Sequence, residues 1–200
     1  MNKFWHNKYL LNLFVFNGIF VLASGLLGPL YAVFVEKIDN SVLAVSFSWA
    51  AFLFSTTFFL FLVARYADRV RPRKYLVMAG YLIQTIVWLL YPSITSLWQL
   101  VVLQIVLGSA EAMGAPTFQA MIAEHLDDGN KIQELSVWKI ILNAATAIAA
   151  VTGGLVVNFW GFDVLFYLMA CLAIISFLGL SFNLKESNEK TRPRGNKKDI

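Results

Sequence analysis

The feature that most constrains the fold is a series of long, continuously apolar segments separated by short polar gaps. Of the 200 residues, 58% are hydrophobic and 14% are charged, whereas soluble domains have about half and about a quarter. A soluble core cannot absorb this many apolar residues at this length. Because the segments are continuous rather than alternating, and a helix needs about 20 residues to cross a bilayer, they predict transmembrane helices and not barrel strands.

The apolar segments predict an all-α membrane protein with six transmembrane helices. The helical domain is expected over residues 1–184, and the charged tail 185–200 is expected to be cytoplasmic and disordered. The predicted spans are 9–35, 42–64, 75–91, 97–123, 135–158 and 161–184.

The basic residues predict the orientation in the membrane. If the N-terminus is cytoplasmic, every Lys and Arg except Lys37 lies on the inner side, in agreement with the positive-inside rule. We therefore expect a multi-pass protein of the inner (plasma) membrane with both termini in the cytoplasm and the lipid bilayer as its solvent. The same placement accounts for the net charge of +4, so no nucleic-acid partner is expected.

The sequence gives almost no support to an enzyme. It contains no phosphate-binding loop, zinc-ligand spacing or dinucleotide-binding glycine pattern, and His6, His125 and Cys171 are isolated. We expect no catalytic residues, no cofactor and no metal. Because no phosphate-cradling loop is present, an ion gradient is the expected energy source rather than ATP.

A cationic loop joins the second and third spans. Residues 64–74 read Ala-Arg-Tyr-Ala-Asp-Arg-Val-Arg-Pro-Arg-Lys. This stretch resembles the loop between helices 2 and 3 of the major facilitator superfamily, Gly-x-x-x-Asp-Arg-x-Gly-Arg-Arg/Lys, with one position of slack. Ala64 and Arg71 stand where the family has glycine. The residues that match in kind are Asp68, Arg69, Arg73 and Lys74.

In that family the loop locks the cytoplasmic side of the carrier. The resemblance implies a gate formed by this loop together with Glu124, which could pair with Arg73. Ion pairs that break and re-form suit an element with two states. The alternative is that the loop only satisfies the positive-inside rule.

Spans four and five carry further matches. The family often has Arg-x-x-x-Gly in span four, followed by small residues and a proline; Gly108, Gly114 and Pro116 match, and Gln104 replaces the arginine. Span five ends in Gly153-Gly154, which resembles the end of a glycine-rich motif of family antiporters. We interpret these glycines and the proline as helix-packing positions, because small residues let helices approach closely.

Glu111 is the most informative single residue. It lies about 20 Å along the helix from Trp98, past the middle of the bilayer. A carboxylate there is costly and usually faces a cavity or a partner, so it predicts a proton-coupling or substrate-cation site. The alternative is a neutral or paired structural glutamate.

The resemblance also implies where the substrate binds. In the family, the first and fourth helices of each half line the central cavity, which assigns Asn17, Gln104 and Glu111 to substrate binding or proton coupling. For Asn17 the alternative is a hydrogen bond within or between helices.

The resemblance covers nearly the whole chain but only half a carrier, the N-terminal six-helix half built from two inverted three-helix repeats. It implies a secondary transporter that moves a small-molecule substrate by alternating access, with efflux as one direction. A second six-helix half is expected, as a homodimer or a separate chain; a truncated product is the third explanation. The rival is a non-transporting membrane protein that serves as a binding or assembly partner.

Overall fold

The computed structural model describes residues 8–66, 74–124, 129 and 131–190, and within these ranges the secondary structure is helical with no strand. Two short 3-10 turns, Gly28–Leu30 and Tyr91–Ser93, follow the first and fourth helices. The helices are α1 (Lys8–Gly25), α2 (Tyr31–Ile38), α3 (Val42–Tyr66), α4 (Lys74–Leu90), α5 (Leu97–Ala123) and α6 (Lys131–Lys190).

Five segments within the described ranges are long and apolar enough to cross a membrane. This confirms the prediction of an all-α, multi-pass membrane protein. The segments are Leu11–Ile38, Val42–Tyr66, Lys74–Ser93, Leu97–Ala123 and Lys131–Phe182.

The first segment is interrupted, which the sequence did not lead us to expect. The α-helix ends at Gly25, and a 3-10 turn over Gly28–Leu30 leads into α2. Pro29 stands at the start of this turn, and a proline has no backbone N–H to donate to a continuing α-helix. Just before the turn, the end of α1 lies close to α6, since a Cβ at Gly25 would lie 3.0 Å from the Cβ of Ala149.

Helix α6 has 60 residues and would be about 90 Å long if straight, about three times the hydrocarbon thickness. It is not straight, because Gly161 has the non-helical angles φ 84° and ψ 178°. We name the residues before this glycine, 131–160, the first arm of α6, and the residues after it, 162–190, the second arm.

The two arms run in opposite directions. In the first arm, Ile141 approaches Gly18 of α1, and Gly153 approaches Leu26 just past the end of α1, so this arm is parallel to α1. The second arm begins beside α2, where the ring of Phe166 lies 4.8 Å from that of Phe34. Its later residue Ser176 donates a hydrogen bond to the carbonyl oxygen of Phe16 in α1, so the second arm is antiparallel to α1. That each arm crosses the membrane, giving six crossings, stays a prediction.

Replacing Gly161 by alanine is expected to destabilise the protein by about 1–3 kcal/mol, because only glycine adopts its backbone angles without strain. The free energy of unfolding in mixed micelles would measure this. Gly28→Ala is the control, since a Cβ there meets no atom within 4 Å and its φ is not positive. Equal stability of the two variants would contradict a turn that depends on Gly161.

Helix α5 packs between α3 on one side and α4 on the other, while α1 and α4 pack against α6. The α3 segment is 11% buried, against 44% for the segments of α1–α2, α4 and α5. Helix α3 therefore lies at the periphery. Its exposed side chains include Phe47, Phe54, Phe58 and Phe61.

Glycines occupy the closest helix contacts. A Cβ at Gly108 would lie 2.9 Å from the backbone nitrogen of Thr56 in α3, and one at Gly80 would lie 3.2 Å from the Cα of Gly114. A Cβ at Gly153 would collide with the carbonyl oxygen of Leu26. By contrast, a Cβ at Gly154 would meet nothing within 4 Å. Gly108, Gly114 and Gly153 thus lie at helix contacts, and Gly154 does not.

Two predicted boundaries differ at α6. The helix begins at Lys131 rather than near residue 135, and it continues to Lys190 rather than ending at 184. Lysine and glutamate, which are frequent in 185–190, are good helix formers even where the sequence is no longer apolar. The rest of the predicted tail, 191–200, lies outside the described residues, so its disorder stays a prediction.

Candidate functional site

A partly enclosed cavity of about 220 Å³ lies among α1, α4, α5 and the first arm of α6. We call it the Glu111 cavity. The predicted site residues Asn17 and Glu111 both line it, although they lie on different helices. The residues that line it are Asn17, Phe20, Val21, Ser24, Tyr81, Gln84, Glu111, Gly114, Ala115, Phe118, Gln119, Trp138 and Leu142.

Glu111 is the one acidic or basic side chain among the described lining residues. Its Oε2 accepts a hydrogen bond from Nε2 of Gln84 in α4, at 3.4 Å. This contact is longer than most hydrogen bonds, and an amide supplies no charge. Because no lysine or arginine is among the lining residues that the structure describes, the carboxylate faces the cavity without a cationic partner there.

Asn17 and Tyr81 hold α1 against α4. The Tyr81 hydroxyl donates to Oδ1 of Asn17 at 2.6 Å, and both side chains are buried. The ring of Phe20, one turn along α1, stacks on the Tyr81 ring with centroids 3.7 Å apart and planes within 8°. This interhelical bond is the alternative considered for Asn17, and it places the asparagine in the cavity wall.

Aromatic rings form much of the remaining wall. Phe20 and Tyr81 lie on one side. On the other, the Trp138 ring lies 5.6 Å from that of Phe118 and stacks on Phe14 at 4.6 Å. A carboxylate beside aromatic side chains is a suitable environment for a lipophilic cation, because aromatic rings attract positive charge. In the described part of the chain, no three His, Cys, Asp or Glu residues come together as a metal site.

Comparison with known proteins decides the family. The sequence profile described as Major Facilitator Superfamily matches residues 13–199. The chain belongs to the major facilitator superfamily. It is therefore a multi-pass membrane protein of a transporter family, as the motifs of the loop and of span four predicted.

Three relatives in this superfamily show how much of a carrier the chain covers. It is 31% identical over 160 residues to the uncharacterized MFS-type transporter YitZ of Bacillus subtilis (strain 168), covering 78% of this chain and 94% of YitZ. It is 24% identical over 170 residues to the multidrug resistance protein MdtG of Klebsiella pneumoniae (strain 342), covering 82% of this chain and 41% of that protein. For MdtG of Dickeya zeae (strain Ech586) the values are 25% over 178 residues, 86% and 43%. The chain thus spans less than half of either MdtG.

Gln104 was predicted to share the substrate-binding or proton-coupling site with Asn17 and Glu111. It does not line the Glu111 cavity. It is 1% exposed, and its Nε2 donates to the hydroxyl of Tyr31 in α2. That hydroxyl donates to Oγ of Ser48 in α3 at 2.7 Å, and Ser48 donates to the carbonyl of Ala44. Gln104 therefore joins α2, α3 and α5, and the structure does not place it with the other two.

The cavity residues that sequence reasoning missed include Tyr81, Gln84, Gln119 and Trp138. Tyr81 and Gln84 lie three residues apart on the buried face of α4, together with Val77, Gly80 and Trp88. Polar groups at helical spacing within an apolar segment were the available signal.

Most of the superfamily gate loop cannot be compared with the prediction, because Asp68, Arg69 and Arg73 lie outside the described residues. Ala64 is exposed in the last turn of α3. Lys74 begins α4, with its ammonium 5.3 Å from the centroid of the Tyr75 ring. Glu124 caps the C-terminus of α5, and its pairing with Arg73 stays a prediction. Pro116 lies inside α5, where it leaves a backbone carbonyl without its intrahelical donor.

Proposed function

We propose that this chain is one six-helix half of a secondary transporter, and that it moves a small solute by alternating access against a second half. The nearly full-length match to YitZ and the match to less than half of MdtG support a half-carrier unit. The opposite directions of the α6 arms support an even number of crossings. Both termini then lie in the cytoplasm of an inner-membrane protein, and the loop with Lys74 and Glu124 closes that side.

The observation that carries the proposal is the carboxylate of Glu111 in a membrane-embedded, aromatic-lined cavity. An ionisable group at this depth is expensive unless it binds something. In the proposed cycle, Glu111 binds either a proton or a lipophilic cation. This competition couples the movement of the proton across the membrane to the movement of the cation. The name of MdtG, a multidrug resistance protein, supports efflux as the direction.

The second half supplies the opposite wall. About 220 Å³ is smaller than the ~300–1,000 Å³ of sites that enclose drug-sized ligands. A homodimer or a separately encoded half would enlarge the site between the two units. The side chains of Asn17 and Tyr81 then shape the wall on this side.

The test is transport by the purified chain in liposomes. With the lumen acidic, proton exit should drive accumulation of a fluorescent lipophilic cation such as ethidium. Collapse of the pH gradient by a protonophore should abolish accumulation, and protein-free vesicles give the background. If the reconstituted protein is a monomer and accumulates no cation above this background, the rival function as a binding or assembly partner is favoured instead.

A further inference from the structure

A second concave surface lies beside the Glu111 cavity. It is a groove of about 520 Å³ between the last turns of α5 and the first turns of α6. We call it the α5–α6 groove. It shares Gln119, Trp138 and Leu142 with the Glu111 cavity, so these three side chains form a common wall between the two spaces.

The α5–α6 groove is lined by a basic side chain, whereas the Glu111 cavity is lined by an acidic one. Lys139 lines the groove and is exposed. With the part of the chain that the structure describes, Lys139 forms neither a hydrogen bond nor an ion pair. An exposed ammonium without a carboxylate partner among the described residues indicates that the groove complements an anion. Gln119 supplies an amide donor beside it, whereas the Ser136 hydroxyl already donates to the carbonyl of Ile132 at 2.7 Å.

The polar groups lie near the adjoining ends of α5 and α6, where we expect the lipid head groups. Gln119 is about 6 Å from the end of α5 at Ala123, and Lys139 is about 12 Å from the start of α6 at Lys131. A lysine at that depth extends its ammonium toward the interface. The anion that meets it is therefore at the membrane surface, on the side where α5 ends.

Apolar side chains complete the groove. Ile122, Leu135 and Leu142 line it together with the polar pair. A free inorganic anion would leave these side chains without a partner, whereas a phospholipid fills both parts, with its phosphate on Lys139 and an acyl chain along the leucines. Basic pockets between transmembrane helices bind acidic lipid head groups for this reason.

We propose that the α5–α6 groove is a binding site for an anionic phospholipid of the adjoining leaflet. The lipid packs against Trp138, Gln119 and Leu142 and so supports the wall of the Glu111 cavity. This site needs no transport for its detection, so its failure and a failure of the proposed function are distinguishable.

The experiment is native mass spectrometry of the purified full chain with phosphatidylglycerol or phosphatidylcholine of identical acyl chains. Phosphatidylglycerol should bind saturably and more tightly. Lys139→Gln should weaken it by about fivefold, as expected for one basic residue near a lipid phosphate, and Lys139→Arg should retain it.

Lys131→Gln is the matched control, because Lys131 is also exposed near the start of α6 but does not line the groove. It should change phosphatidylglycerol affinity less than twofold. If Lys131→Gln and Lys139→Gln lose the same phosphatidylglycerol affinity, the lipid is held by diffuse surface attraction and the proposed site is wrong. Equal affinity for the two lipids, or displacement by soluble glycerol phosphate at similar concentration, would overturn it as well.

Discussion

Glu111→Gln is expected to reduce proton-driven cation accumulation by about 10- to 100-fold, the effect of losing a hydrogen bond or contact to a charged group. Glutamine has nearly the same shape and can still accept the Nε2–H of Gln84. The variant therefore removes the charge and the exchangeable proton while the walls of the cavity are retained. Initial rates of ethidium accumulation in liposomes would measure the loss.

The pH dependence separates a coupling role from a structural one. A carboxylate binds a cation only when it has lost its proton, so cation binding by the wild type should rise with pH over the range in which Glu111 titrates. Glu111→Gln has no such group, and its residual binding should be independent of pH. Because the described lining of the cavity contains no other carboxylate, a second residue there cannot replace it.

Glu36→Gln is the control for the loss of one carboxylate, because Glu36 is exposed in α2 and outside the cavity. It should leave the rate and its pH profile unchanged. A Glu111→Gln protein that keeps the wild-type rate and profile would show that the carboxylate is structural.

The polar residues of the Glu111 cavity could be predicted only in part. Glu111 was recognisable because a charge within an apolar segment is rare, and Asn17 because the family resemblance assigns the first helix to the cavity. Tyr81 and Gln84 give only a weak signal through their helical spacing, since a tyrosine or glutamine is tolerated in many membrane helices. Their importance depends on how α4 is rotated against α1 and α5, and the periodicity of α4 alone does not give the partner of each face.

Gln104 was assigned to the site but lies outside the Glu111 cavity, whereas Tyr81 and Gln84 line the cavity and were missed. Gln104 occupies the position of a family arginine, so the motif assigned it to the coupling site, but it lies at a different depth along α5 from Glu111. Seven residues, from 104 to 111, are nearly two turns of helix, so the two side chains project from similar faces at different depths. The partners available to α5 at the depth of Gln104 depend on α2, whose position follows from the turn at Pro29. That turn was not predicted, and the separate network with Tyr31 and Ser48 follows from it.

The second large effect is expected at Gly153. Gly153→Ala should destabilise the protein by about 1–3 kcal/mol through overpacking. The added Cβ would collide with the carbonyl oxygen of Leu26 and lie 3.0 Å from its carbonyl carbon and 3.2 Å from its Cα. These are backbone atoms at the end of α1, so no side-chain rotation relieves the contact, and α1 must move away from the first arm of α6. Unfolding by SDS in mixed micelles would measure the cost.

Gly154→Ala is the matched control, because the two glycines are neighbours in the same helix and differ in their surroundings. Alanine is a better helix former than glycine by about 1 kcal/mol, and a Cβ at 154 meets no atom within 4 Å. Gly154→Ala should therefore leave stability unchanged or raise it, while Gly153→Ala lowers it, so the two substitutions should differ in sign. The displacement of α1 from α6 in Gly153→Ala should also enlarge the Glu111 cavity beside Asn17 and weaken ethidium binding. If both variants are equally stable, the close approach of Leu26 to Gly153 does not exist in the membrane.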